Sequence, residues 1–314
     1  MGNLSHFDDG RTSFDSRSYI VEETNQKAGI RRVGANMELR KWRSHEGDLM
    51  WTVNMDGTER VLDTNLDDIL CSEDPLDFVL ATTTSFRLPP GSTLVAPIDK
   101  QEIWASGVTY ERSRDARMEE SKQGGDFYDL VYDADRPELF FKASPWRATG
   151  HLGSIRVRHD STWDVPEPEL TLVANNSGHI IGATIGNDVS SRSIEGENPL
   201  YLPQAKSYNG SCALGPYIRL LDTNFNLPDL RAIEIQLQIQ RNGQLAFDGK
   251  ASTATMKRHV DDLVSWLFRE LDFPYGAFLM SGTGIVPDLP YTMVSGDVVS
   301  ISMSGLGTLT NTVR

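Results

Sequence analysis

Residues 165–192 read VPEPELTLVANNSGHIIGATIGNDVSSR, and the division of this stretch decides the fold. Glu169 to Ala174 and His179 to Ile185 are rich in Leu, Val, Ile and Thr, side chains that pack well on a pleated surface. Between them stands Asn175-Asn176-Ser177-Gly178, whose Asn and Gly residues tolerate the positive φ of a tight turn, so the stretch predicts an antiparallel hairpin. Glu167 and Glu169 lie two residues apart, which puts both carboxylates on one face of an extended chain. Pro168 between them donates no hydrogen bond and suits a strand start at an open rim. A hairpin turning at Asn176-Ser177 sets Asp188 about opposite Pro166, and so near Glu167. Three carboxylates brought together repel one another, and a hard cation such as Mg2+ or Mn2+ removes that repulsion by taking oxygen ligands. No Cys or His joins the cluster to favour zinc. The plainer reading of Glu-Pro-Glu is an exposed acidic loop before a strand.

Outward from this stretch the pattern stays rich in strands. Ile233, Ile235, Leu237 and Ile239 alternate with Glu234, Gln236 and Gln238, and Asn242-Gly243 then turns the chain into Leu245 to Phe247. Val260, Leu263, Val264, Leu267, Phe268 and Leu271 recur at helical spacing and predict one amphipathic helix, ended by Pro274. Asp297 to Met303 alternates again as a last strand. Upstream, Leu88-Pro89-Pro90-Gly91 is a turn-forming cluster that divides the chain into a small N-terminal domain, 1–95, with a polar arm over residues 1–18, and a larger domain, 96–314. The expectation is a mixed α/β fold, mostly β.

A chain of 314 residues with 39% hydrophobic content can bury a substantial core. Its net charge of -14, with no basic patch, argues against nucleic acid and anionic membrane as partners. No apolar run is long enough to span a bilayer, no signal segment is evident, and Cys71 and Cys212 are too few for a disulfide framework. A cytoplasmic protein with two buried free thiols is expected.

Ile185 to Arg192, taken with Glu167-Pro168-Glu169, resembles the fumarylacetoacetate hydrolase family. Gly107-Val-Thr-Tyr110, Lys206-Ser-Tyr-Asn-Gly-Ser-Cys-Ala-Leu-Gly-Pro216 and Ser281-Gly-Thr283-Gly-Ile285 extend the likeness over roughly residues 100–314. The resemblance implies a fumarylacetoacetase-like mixed β-sandwich roll and a homodimer or homotetramer. It implies a metal held by Glu167, Glu169 and Asp188, and a small 2-keto acid as substrate in a pocket lined by Ser106, Tyr110, Arg192, Lys206 and Thr283. Arg192 alone would read as a surface charge. Beside a metal its planar guanidinium suits a substrate carboxylate or hydroxyl, or orients Asp188. Lys206 offers compact positive charge to a developing enolate, and Thr283 a contact to the substrate carboxylate.

Hydrolytic members of that family carry a histidine-containing segment just after the motif matched by Gly107 to Tyr110. Residues 111–117 here read ERSRDAR and contain none. Pro137 to Pro145, Asp160 to Pro166 and Ile194 to Ala205 resemble instead the branch that dehydrates 2-keto-3-deoxy-pentonates to 2,5-dioxopentanoate. There Glu138, beside apolar Leu139, Phe140 and Phe141, would act as base at C3 and acid to the C4 hydroxyl. The ordinary alternative for Glu138 is an ion pair with Arg136 or Lys142. The other activity open to the family is C–C hydrolysis of an acylpyruvate or diketo acid. Ser193 to Leu202 and Glu111 to Asp129, polar and Gly-containing, are the expected lid segments.

Overall fold

The computed structural model describes residues 36–113 and 130–314. The polar arm over 1–18 and the larger part of the lid segment over 111–129 lie outside the described residues.

Residues Pro168–Ala174 and Ile180–Asp188 form the expected antiparallel hairpin. Its turn is held by Asn175, whose Oδ1 accepts the Ser177 and His179 N–H groups at 3.0 and 2.8 Å. Every residue of the first strand is buried. Leu170, Leu172 and Ala174 enter one apolar core while Val173 enters another. A strand with protein on both faces needs apolar side chains at odd and even positions alike, which explains the nearly unbroken run from Leu170 to Ala174. The register differs slightly from expectation. Pro168 pairs with Asn187, so Asp188 stands opposite Glu167 and not Pro166, because a bulge between Val173 and Ala174 shifts the ladder.

This hairpin sits in the middle of a large mixed sheet. Among the described residues, that sheet runs from Thr58–Val61 through Leu49–Met55, Met37–Arg43, Cys212–Leu220, Ile180–Asp188, Pro168–Ala174, Ala277–Met280 and Glu102–Gly107 to Glu138–Ala143. A second sheet, ordered Gln244–Ser252, Glu234–Arg241, Val298–Met303, Gly307–Val313 and Ser154–Ile155, packs Leu237, Ile239, Val299 and Ile301 into the core that holds Leu170 and Leu172. The fold is thus mostly β, with two sheets enclosing one core and the larger sheet carrying a second core on its far face. Strands before Pro89 continue the large sheet, since Glu38 pairs with Arg219, and their Leu39, Trp51 and Val53 share the second core with Leu214 and Phe278.

The remaining differences have local causes. The helix spans Val260–Leu267 and stops short of Leu271, which is exposed; the chain leaves the helix so that Phe268 and Phe273 pack with ring centroids 4.8 Å apart. Gly307–Val313 is a further strand beyond the one expected to be last. Cys212 is buried, with its thiol pushed up to about 12 by burial, but Cys71 is exposed, because the short helix Leu66–Cys71 turns Leu66, Ile69 and Leu70 inward instead.

Leu172, fully buried at the centre of both the hairpin and the main core, is the position where truncation should be felt most. Leu172→Ala is expected to cost about 2–5 kcal/mol of unfolding free energy, read as a lower denaturant midpoint at unchanged slope.

Candidate metal centre

The open end of the hairpin builds the site. Asp188 N–H donates to the Glu167 carbonyl at 3.0 Å, and Glu167 N–H donates to Asn187 Oδ1 at 3.2 Å, so the backbone itself sets Glu167 beside Asp188. Glu169 follows two residues along, as the strand period requires. Its Oε2 accepts the Gly282 N–H at 2.6 Å. Gly282 has φ +91°, and a Cβ there would fall 2.0 Å from Thr109 Oγ1, so only glycine brings this N–H to the carboxylate. One carboxylate oxygen from each of Glu167, Glu169 and Asp188 lies within 4.8 Å of the other two, and all three residues are buried. The acidic motif is therefore no exposed loop.

Among the described residues, three cations surround the carboxylates. The Arg192 guanidinium forms an ion pair with Glu167 Oε1 at 2.6 Å. The Lys206 ammonium lies 2.7 Å from Glu167 Oε2, 2.7 Å from Ser190 Oγ and 3.3 Å from Asp188 Oδ2. Lys142 grips Asp188 Oδ1 and donates to the backbone carbonyls of Val189, at 3.0 Å, and of Lys206. Lys142 was legible in the sequence only as a possible partner of Glu138. The strand period would have found it, because Glu138, Phe140 and Lys142 share one face of their strand. Glu195, 3.7 Å from Arg192 and 3.8 Å from Lys206, is a second buried residue that the motifs did not single out.

Burial, and after it the charges of Asp188 and Glu167, push the Glu169 carboxyl well above the usual carboxylate range. A cation at this point relieves both causes. The donor set among the described residues fits a hard divalent ion, being three carboxylates with no nitrogen or sulfur. Burial also raises the Tyr110 hydroxyl, and the nearby Glu169 charge raises it further, so Tyr110 stays a neutral phenol.

Of the other expected site residues, Ser106 and Thr283 line the same small cavity as the carboxylates, Arg192 and Lys206. The Ser106 and Tyr110 hydroxyl oxygens are buried and have no hydrogen-bond partner among the described residues, as donors held ready for a ligand would be. Thr283 instead turns its hydroxyl onto its own loop, donating to the Ile285 carbonyl at 3.1 Å and accepting the Ile285 N–H at 3.2 Å. Glu138 pairs across the sheet with Gly107, and a Cβ on Gly107 would fall 2.0 Å from Glu138 Oε2. Gly107 lines the cavity, and its missing side chain leaves the space that the Glu138 carboxylate occupies beside it.

Comparison with known proteins agrees with this geometry. The profile described as "Fumarylacetoacetate (FAA) hydrolase C-terminal" matches residues 103–314. This chain belongs to the fumarylacetoacetate hydrolase family. It is 49% identical over 217 residues, 69% of this chain and 73% of the relative, to a Haloferax volcanii protein named "Probable 2-keto-3-deoxyxylonate dehydratase". It is 43% identical over 224 residues, 70% of this chain and 74% of the relative, to the 2-dehydro-3-deoxy-D-arabinonate dehydratase of Saccharolobus solfataricus. Among solved structures, an apo 2-keto-3-deoxy-D-arabinonate dehydratase superposes with a TM-score of 0.78 at 35% identity, covering 88% of this chain and 99% of that one. The same dehydratase complexed with magnesium and 2,5-dioxopentanoate gives 0.76 at 34% identity, with the same two coverages.

The charge on Glu169 is a cost to the folded metal-free protein. Because its folded pKa is raised, that cost is small near pH 4 and grows as pH rises from the ordinary carboxylate value toward the raised one. Glu169→Gln is therefore expected to keep or raise Tm in metal-free buffer at pH 7, and its advantage should shrink as pH falls toward 5. Added Mg2+ or Mn2+ should raise the wild-type Tm but leave Glu169→Gln and Asp188→Asn unmoved in scanning calorimetry.

Proposed function

We propose that this protein is a metal-dependent dehydratase of a 2-keto-3-deoxy sugar acid, converting a 2-dehydro-3-deoxy-D-pentonate to 2,5-dioxopentanoate. The observation that carries the reading is the buried trio Glu167, Glu169 and Asp188, set in the fold of a dehydratase solved with magnesium and 2,5-dioxopentanoate. When bound, Mg2+ or Mn2+ supplies Lewis acidity toward the carboxylate and 2-keto oxygen of the substrate, which makes the C3 protons acidic.

The chain's own groups do the rest. Glu138, whose carboxylate packs against Gly107 of the cavity, takes the C3 proton and returns a proton to the departing C4 hydroxyl, so that one water leaves. The resulting C3–C4 alkene moves by proton shifts to the terminal aldehyde. Lys206, fixed by Glu167 and Ser190, presents positive charge to the oxygen on which negative charge develops. Arg192 orients the substrate by charge and Ser106 and Tyr110 by their hydroxyls, while Thr283, its hydroxyl held by Ile285, shapes the wall. Phe140, 5.6 Å below the Lys206 ammonium, forms an apolar wall that keeps water from the reacting carbons.

A homodimer or homotetramer in the cytoplasm, serving the degradation of pentoses without phosphorylated intermediates, completes the proposal. Among the described residues no helix is long and apolar enough to cross a membrane.

The deciding experiment offers the purified enzyme, with Mg2+, a 2-keto-3-deoxy-pentonate and in parallel an acylpyruvate. Aldehyde release, read through an NAD-coupled aldehyde dehydrogenase, is expected only from the sugar acid, and a chelator should abolish it. Fast loss of acylpyruvate absorbance with no aldehyde would reverse the assignment in favour of C–C hydrolysis. Glu138→Gln is expected to lower kcat by about 10²-fold or more with metal affinity unchanged. Gly107→Ala, which displaces the Glu138 carboxylate without altering it, should lower kcat by at least about tenfold.

A further inference from the structure

Val108 adopts φ +52°, in the left-handed region where a β-branched side chain is strained. Among the described residues Asp56, Leu152 and Asn242 also depart from the rule that positive φ belongs to glycine, but all three are exposed. Val108 is 3% exposed. Its bend is held from both sides. Gly107 ends a strand paired with Glu138, while the Thr109 hydroxyl donates to the Ser281 carbonyl at 2.7 Å and the Thr109 carbonyl accepts the Lys257 N–H at 3.0 Å. Glycine would make the same bend without strain, so the bend alone does not call for valine. Nor does the isopropyl group fill an apolar core, since Val108 belongs to neither of the two and instead lines the cavity that holds the three carboxylates.

Among the described residues lining that cavity, Val108 and Phe140 are the two with apolar side chains. The carboxylates, Arg192 and Lys206 serve the keto-acid end of a substrate, and Glu138, packed against Gly107, serves C3 and C4. Val108, next along the chain from Gly107, then meets what lies beyond C4. An apolar group there makes no hydrogen bond to a sugar hydroxyl and discriminates by size alone. We propose that Val108 is a specificity-determining residue, whose isopropyl group closes the cavity beyond C4 and so limits the site to a five-carbon 2-keto acid. The proposal rests on the 2-keto-acid reading above.

The test titrates unbranched 2-oxo acids, from 2-oxobutanoate to 2-oxoheptanoate, into the Mg2+-loaded protein and reads binding by calorimetry for the wild type, Val108→Ala and Val108→Gly. Wild-type affinity is expected to fall by about tenfold or more from 2-oxopentanoate to 2-oxohexanoate, the scale of one methylene without room in an apolar pocket. Val108→Ala should cut that fall by about three- to tenfold, and Val108→Gly, which takes the bend without strain, should do the same. A role confined to holding the loop predicts a different pattern, equal weakening of every chain length with the wild-type ratio kept. A six-to-five-carbon ratio in either folded variant within about twofold of the wild type's overturns the proposal. So does a wild type that binds 2-oxopentanoate and 2-oxohexanoate equally, even where neither variant folds, and the 2-keto-acid reading survives both results. A wild type that binds none of these acids in the presence of Mg2+ overturns that reading and the proposal with it.

Discussion

Carboxylates of like charge share a space that water cannot reach, and the surrounding structure answers to that cost. An isolated buried carboxylate would neutralise itself by taking up a proton. Here Glu167 instead lies between Arg192 and Lys206, and Asp188 is gripped by Lys142. Removing one partner of such a network strands the other, so the cations are as much part of the centre as the carboxylates. Glu169 accepts a backbone N–H from Gly282, and burial with the charges of Asp188 and Glu167 raises its carboxyl well above the usual range, so it has much to gain from a cation.

The precision of the arrangement comes from regular backbone. Glu167, Glu169 and Asp188 project from adjacent strands of one hairpin, at the end where its ladder stops, and that hairpin is buried between two cores. Sheet hydrogen bonds cannot be redrawn without exposing Leu170, Leu172 or Ile185, so the ligand positions inherit the rigidity of the core. Lys142 reaches the same point from a strand three places away in the sheet, and its ammonium spans Asp188 and the carbonyls of Val189 and Lys206. One side chain thus ties the edge strand, the hairpin and the segment that carries Lys206.

What a buried carboxylate centre does depends on the side chains that surround it. Gly107 and Phe140 line the cavity, the Glu138 carboxylate packs against Gly107, and among the described residues no histidine lines it, a setting that suits proton transfer at carbon better than activation of water.

The sequence by itself determined the hairpin, the second hairpin at Asn242-Gly243, the mostly β character and the three carboxylates, because period-two patterning and turn chemistry are local and survive in one dimension. Those features depend on residues a few positions apart, and the motifs carried the cations Arg192 and Lys206 as well. Only the tertiary structure decided the rest. The bulge at Val173/Ala174 moved Asp188 opposite Glu167, and no local signal announces a one-residue shift that core packing imposes. The helix stopped at Leu267 because Phe268 and Phe273 meet, a contact that periodicity does not encode. Lys142 and Glu195 lay in plain sight as ordinary charges. Their roles became visible once strands and helices far apart in the chain were brought around one buried charge cluster, where the cost of leaving any member unpaired fixes what each must touch.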